Sequence, residues 1–270
     1  MDGGKGVRKG MKTDREINVM LSRLQIIQGL VKKHLKDRYA GSKLGMLWAV
    51  FNPLLIMCVI SFVFTEILKT EVKNFPLLVL SGILPWFFFL NSASEVVAAA
   101  RNNKVLLGEF ILSPEMLPVS LVLSNLIRFL AGLIPLLPIF IIFNAQIIRN
   151  LFLLPILLCL YLFFALGISL ILNVIALYIK DLPHVLDIGF MFLFWITPVF
   201  YTLDAVPAGY RWVIMLNPLT SYVNIFRLLL YQGSCPGIEE WIFAAALSML
   251  SLICGLLLFK TKESDILKYR

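Results

Sequence analysis

Charge is scarce in this chain. Asp, Glu, Lys and Arg make up 15% of its 270 residues, against 60% hydrophobic ones, and the mean hydropathy is +0.89. A water-soluble globule of this length would need far more charge to cover its surface. Histidine is nearly absent: His34 and His184 are the only two. They are far apart and in no ligand spacing with cysteines or carboxylates, which argues against a metal centre. Of four cysteines, Cys58, Cys159 and Cys254 fall inside apolar runs and read as small apolar residues. Cys235 alone is in a loop, so no internal disulfide framework is expected. No G-x-x-x-x-G-K-[ST] loop occurs; the stretch GGKGVRKG near the start lacks that spacing and follows no strand. The chain is therefore expected to bind no nucleotide, metal or other cofactor of its own. Clustered carboxylates and a nucleotide-sugar site are also missing, which weakens a reading as a membrane glycan enzyme.

What is present is apolar length. Uncharged runs cover Leu44–Thr65, Phe75–Ser94, Leu151–Ile179, Ile188–Leu203 and Trp241–Phe259, and a sixth, Met116–Ile148, is interrupted only by Arg128. A bilayer core takes about 20 apolar residues as helix, because unpaired backbone groups cannot face hydrocarbon. Ile188–Leu203 is short and must borrow flanking residues or sit in a thinned region of the bilayer. An all-α integral membrane fold with six spans follows. Trp212–Tyr231 competes as a seventh, but it carries Asn217-Pro218, Ser221, Asn224 and Arg227. Short helices that dip into the outer leaflet and return suit it better, and such breaks survive at membrane depth only against protein or a wet cavity.

Alternating six spans puts both termini and the loops at 101–115 and 180–187 on one side, together with 18 of the 24 Lys and Arg residues. Positive loops stay cytoplasmic, so both termini are expected inside a multi-pass membrane protein. The net charge of +8 then reads as topology and contact with anionic lipid, not nucleic-acid binding. Residues 1–14 form a basic tail expected to be flexible. Across 15–43, Ile17, Leu21, Leu24, Val31 and Leu35 recur at helical spacing, which predicts an amphipathic interface helix. It serves equally well as a topological anchor or as a docking collar. Residues 44–270 form the transmembrane domain. No cleavable signal peptide is expected in Met1–Lys43, which is long, basic and polar.

The loop 101–115 mixes Arg101, Lys104, Glu109 and Glu115 with Leu106, Leu107, Phe110 and Ile111. A short helix with an apolar face there could fill a groove in a soluble protein; the residues alone lean slightly toward packing back on the bundle. Arg128 inside a span reads as neutralised by a polar neighbour, as snorkelling toward the cytoplasm, or as functional. Intramembrane ionisable groups are otherwise few, which disfavours a self-contained, ion-coupled secondary transporter. Trp48, Phe51, Phe192, Trp195 and Tyr201 lie near span ends. They read as an interfacial belt, or as shallow stacking surfaces along which a sugar polymer can slide.

The run Arg38-Tyr39-Ala40-Gly41-Ser42-Lys43-Leu44-Gly45-Met46-Leu47-Trp48 is followed by Phe51-Asn52-Pro53-Leu54-Leu55. Further along come Ser81-Gly82-Ile83-Leu84-Pro85-Trp86, Lys180-Asp181, Thr197-Pro198-Val199-Phe200-Tyr201 and Met215-Leu216-Asn217-Pro218-Leu219. In this order they resemble the permease subunits of ABC-2 type exporters of polysaccharides, such as O-antigen, capsule and teichoic acid. The resemblance runs from about Ile17 to the C-terminus, and Arg128 matches none of its motifs. It implies a channel formed with a second copy of the chain and driven by two copies of a separate ABC ATPase subunit, which uses ATP and Mg. The substrate implied is a lipid-linked glycan; teichoic acid or a small molecule is the alternative. It further implies the bacterial cytoplasmic (inner) membrane as the location, 101–115 as the coupling segment, 204–231 as the outer gate, and the first and fifth spans at the pore. Within that frame Leu106, Leu107, Phe110 and Ile111 are the expected coupling residues, and Pro198, Pro207 and Pro218, where helices must break, are with Asn217 the expected gate residues. Trp48, Phe51, Phe192, Trp195 and Tyr201 are expected along the conduit from their aromatic content.

Overall fold

The structure, a computed structural model, describes residues 23–102 and 114–268, without the side chains at 101–102 and 263–268. Among the described residues every regular element is helical. Helix α1 (residues 23–39) ends where Gly41 takes a positive φ of 76°, a turn that costs a glycine little. Next come α2 (Trp48–Ser61), which continues as a wider-wound turn over Phe62–Ile67, α3 (Phe75–Asn102) and α4 (Met116–Phe143). Helices α5 (Leu154–Tyr178), α6 (Leu182–Ile196), α7 (Pro218–Arg227) and α8 (Ile238–Lys268) complete the chain.

Among the described residues five helical stretches are long and apolar enough to cross a bilayer: Gly45–Ile67, Phe75–Ala100, Met116–Phe143, Ile147–Tyr178 and Ile238–Lys262. They match five of the six expected runs. The sixth is displaced. Instead of Ile188–Leu203, the helix is Leu182–Ile196, 15 residues long. Pro183 sits in its first turn, where a missing N–H costs nothing. Pro198 turns Thr197 extended at φ −73° and ψ 130°, since the residue before proline avoids the helical region. At 1.5 Å per residue such a helix is about 22 Å long, short of a hydrocarbon core about 30 Å thick.

Helix α3 is the hub. In its most apolar stretch 78% of the residues are buried inside the chain, against 11% for the stretch that contains α2. The α2 stretch is thus peripheral, with one face left to lipid or another chain. The closest helix pair is α5 with α8. A Cβ on Gly167 would lie 2.3 Å from the carbonyl carbon of Ser251, and one on Gly255 would lie 2.5 Å from the Gly167 oxygen. Small residues let two backbones touch, which is how helices gain packing where hydrophobicity offers little. Ser248 reinforces the seam by donating to the Leu160 carbonyl at 2.8 Å.

Between α6 and α8 the chain forms an L, with Ala208–Leu216 and Pro218–Gln232 meeting at 102°. Asn217 caps the second arm by accepting the Leu219 N–H at 3.1 Å, and Pro218 occupies its first position. Arms at right angles do not add along one membrane normal, in keeping with a hairpin that enters and returns. Cysteines introduced at Ala208 and Gln232, in a background with the four native cysteines replaced, are both expected to react with an impermeant thiol reagent added outside intact cells. Labelling of only one would mean that the L crosses the membrane.

Candidate functional site

Three places hold polar or aromatic groups that a lipid-facing bundle does not need. The first is the junction of α6, α7 and α3 at the expected outer gate. Asn217 Nδ2 donates to Thr197 Oγ1 at 2.7 Å, and Thr220 Oγ1 donates to the Ile214 carbonyl at 2.7 Å. Arg227, 1% exposed, donates through one terminal nitrogen to the Pro198 carbonyl and to the Val199 carbonyl, the latter at 3.3 Å. Those carbonyls lie just past the helix end, where no helical N–H serves them. Gly82 of α3 lies under the same segment: a Cβ there would meet the Val199 oxygen at 2.6 Å. Three of the quoted motifs, distant in sequence, therefore converge on one joint. Pro198, Asn217 and Pro218 belong to it; Pro207 is set apart at the turn leading into Ala208–Tyr210. Arg227 and Gly82 were not among the sequence candidates.

The second is an open groove of about 380 Å³ over α3, flanked by Ile56 of α2 and by Asp187, Phe190, Met191 and Phe194 of α6. Its floor is Ile83, Trp86, Phe87 and Leu90. Trp86 and Phe194 meet at 5.5 Å between ring centroids and 57° between planes, a tilted aromatic contact. Asp187, an exposed carboxylate, lies one turn before Phe190 and Met191 on the same helical face. The expected conduit aromatics occupy other positions. Phe192 and Trp195 share a face of α6 but are 61% exposed, outside the groove. Tyr201 donates its hydroxyl to the Trp195 and Ile196 carbonyls at 3.0 and 2.9 Å, so it caps α6. Phe51 is exposed on α2, and Trp48 lines the third place.

That third place is a cavity where α1 meets α2, α3 and α4. Glu95 of α3 pairs with Arg128 of α4 at 2.6 Å and with Arg38 of α1, and it accepts the Asn125 amide at 2.9 Å. Arg128 thus has the polar neighbour that its position required, and the neighbour is a carboxylate. Nearby on α1, His34 shares a hydrogen bond with Ser120 of α4 at 3.2 Å. Burial holds its imidazole below the ordinary 6.5, with Glu95 pulling partly the other way. Glu115, at the end of the 101–115 loop, approaches Arg23 of α1 at 3.9 Å, an exposed contact worth little energy. Leu106, Leu107, Phe110 and Ile111 lie outside the described residues. Among the described residues no group of histidines, cysteines and carboxylates is arranged to hold a metal ion.

A bundle of apolar helices with a right-angled hairpin, and with an aromatic groove and a charged cavity side by side on α3, where Phe87 lines both, is the architecture of a membrane transport subunit. The sequence profile of the ABC-2 type transporter family matches residues 25–231, and the chain belongs to that family. It is similar to the O-antigen export system permease protein RfbA of Myxococcus xanthus, at 28% identity over 242 residues, covering 89% of this chain and 93% of that one. The RfbA protein of Klebsiella pneumoniae is 28% identical over 76% of this chain and 80% of its own length. The polysialic acid transport protein KpsM of Escherichia coli is 23% identical over 89% and 95%.

Proposed function

We propose that this chain is the channel-forming subunit of an ATP-driven exporter that moves a lipid-linked, O-antigen-like polysaccharide across the bacterial cytoplasmic membrane. Two copies form the conduit, two ABC ATPase subunits power it with ATP and Mg, and both termini face the cytoplasm. The observation that carries the reading is the open groove between α2 and α6, walled by Trp86, Phe87, Phe190 and Phe194 and edged by Asp187. Aromatic faces stack on the apolar faces of sugars, while a single carboxylate can accept hydroxyl hydrogen bonds. Many shallow contacts of this kind let a polymer advance, whereas one deep site would stall it. A second copy laid against the free face of α2 would close two such grooves toward each other. The family and the O-antigen and polysialic acid relatives support the export of a polysaccharide; in this reading the segment 101–115 makes the contact to the ATPase.

Deleting the gene should remove surface polysaccharide and leave lipid-linked glycan inside the cell, and the intact chain should restore export. Phe110→Asp with Ile111→Asp should leave the permease in the membrane but separate it from the ATPase, because a charge enters an apolar groove without a partner. Phe87→Leu with Phe194→Leu, both half-buried groove residues that keep most of their bulk, should lower surface polysaccharide at normal permease abundance. A deletion strain with unchanged surface polysaccharide would overturn the proposal.

A further inference from the structure

The cavity at the α1 end of the bundle has a composition that neither the groove nor the gate explains. About 210 Å³ in volume, it is lined among others by Arg38 and Tyr39 of α1, Trp48 and Asn52 of α2, and Asn125 and Arg128 of α4. That is room for about seven water molecules at their liquid volume, enough for a phosphate or diphosphate and far too little for a folded sugar chain. Glu95 is not part of the lining. It holds one terminal nitrogen of each arginine from behind, and a guanidinium has five N–H donors. Two cations and one anion leave a net positive charge beside an opening whose other walls are uncharged amide, aromatic and aliphatic side chains.

Two acceptor and donor groups there have no protein partner. Asn125, 2% exposed, gives its amide hydrogens to Glu95 and to the Leu121 carbonyl at 3.0 Å, while its Oδ1 is buried without a hydrogen bond. A buried acceptor left so costs free energy until a hydroxyl or other donor fills it. Asn52 is an exposed amide in an apolar helix, one turn beyond Trp48. Leu47, in the short helical turn that leads into α2, and Phe51 and Leu55 on α2 are each exposed at spacings of four residues, forming an apolar strip beside the cavity. A ligand with an anionic, hydroxyl-bearing head and a hydrocarbon tail would satisfy both features together; a free anion would use only the first.

We infer that this cavity receives the phosphate head of a lipid, with its tail along Leu47, Phe51 and Leu55, and that in the exporter this lipid is the anchor of the glycan. The last step rests on the function proposed above. Arg128 and Arg38 bind the phosphate oxygens through charge-assisted hydrogen bonds, Asn52 adds a donor, and Asn125 Oδ1 accepts from the hydroxyl of the first sugar.

The test uses the full chain in phosphatidylcholine nanodiscs titrated with labelled farnesyl diphosphate. Saturable binding is expected, with farnesol failing to compete and inorganic pyrophosphate competing only weakly. Arg128→Gln should weaken binding about tenfold, the loss of a charge-assisted hydrogen bond. Asn52→Leu disturbs no protein contact and should weaken it about threefold, for one neutral hydrogen bond. Unchanged binding in both variants would overturn the site. Pyrophosphate competing as well as farnesyl diphosphate would make it a free-anion site, and displacement by phosphatidylglycerol at equal mole fraction would make it a bulk-lipid site; either overturns the role in cargo recognition. Export that persists in a strain whose permease binds no farnesyl diphosphate would sink this inference and leave the exporter standing, whereas loss of the exporter reading shows in the deletion strain whatever binds.

Discussion

Gly255→Val is expected to remove the protein from the membrane almost completely. The α5–α8 seam is a backbone contact: a Cβ at residue 255 would sit 2.5 Å from the Gly167 oxygen and 3.1 Å from its Cα. No side chain can rotate away to make room, because both obstacles belong to the main chain. The two helices would have to separate along their length, stripping the hydrogen bonds from Ser248 to Leu160 and from Ser251 to Phe164 and opening the packing around Tyr222, whose hydroxyl bonds Ser248 at 2.7 Å. Overpacking typically costs about 1–3 kcal/mol and more where nothing can yield, a large fraction of the stability of a domain. Gly189→Val on α6 is the control, since a Cβ there meets nothing within 4 Å. Immunoblots of membrane fractions should show normal Gly189→Val and little or no Gly255→Val. Equal abundance of the two would mean that the seam is looser than the structure shows.

Five of the spans were legible because a bilayer leaves the chain no alternative: a backbone in hydrocarbon must be helical, and a lipid-facing helix must be apolar. The sixth was misplaced for a physical reason. Asp187 looked like the end of an apolar run, yet it lies inside α6, where it edges a groove that need not be dry. Charge within a span marks a lined cavity as readily as it marks a boundary. The prolines held the better signal, since Pro183 and Pro198 bracket the helix at Leu182–Ile196.

The site was legible in its motifs and obscure in its contacts. Glu95 stands one residue past an uncharged run, but α3 continues to Asn102, so Glu95 is a helical residue one turn beyond Asn91. Arg128 is likewise one turn beyond Asn125. Two polar stripes at helical spacing, of opposite charge, were visible in the sequence; that they face each other across α3 and α4 is a fact of packing. On α6 the pattern Asp187, Phe190, Met191, Phe194 follows one face, and Phe192 and Trp195 follow another. Which face closes on α3 depends on helix rotation, and aromatic content alone does not set it. Which face meets a second copy is not written in one chain's periodicity at all.

Arg227 is one of the polar residues that make Trp212–Tyr231 a poor seventh span, and the structure buries it. It is 1% exposed with no carboxylate among its hydrogen-bond and ion-pair partners, and its Nε makes no hydrogen bond. An unpaired buried cation is expensive, so its presence points to something that a neutral residue would not provide. What it provides is a clamp: the carbonyls of Pro198 and Val199 have lost their helical partners at the break after α6, and the guanidinium of α7 supplies them. The clamp joins the returning arm of the hairpin to the end of the span that borders the groove, while Asn217 ties the bend itself to Thr197. Removing it with Arg227→Ala leaves two buried carbonyls unserved and a void the length of the side chain. Hydrogen bonds to a charged donor are each worth about 1.5–3 kcal/mol, so a loss of about 3 kcal/mol or more is expected, seen as a clearly lower melting temperature of the detergent-solubilised permease. Arg227→Lys should not restore it, because an ammonium on a flexible stem is a point charge that lacks the planar, pre-organised fork of a guanidinium. Asn217→Ala, which removes one neutral hydrogen bond and a helix cap, should cost only about 1–2 kcal/mol. A melting temperature of Arg227→Ala equal to that of the unaltered chain, or full rescue by lysine, would show that the hairpin is held by its apolar packing and that the clamp is incidental.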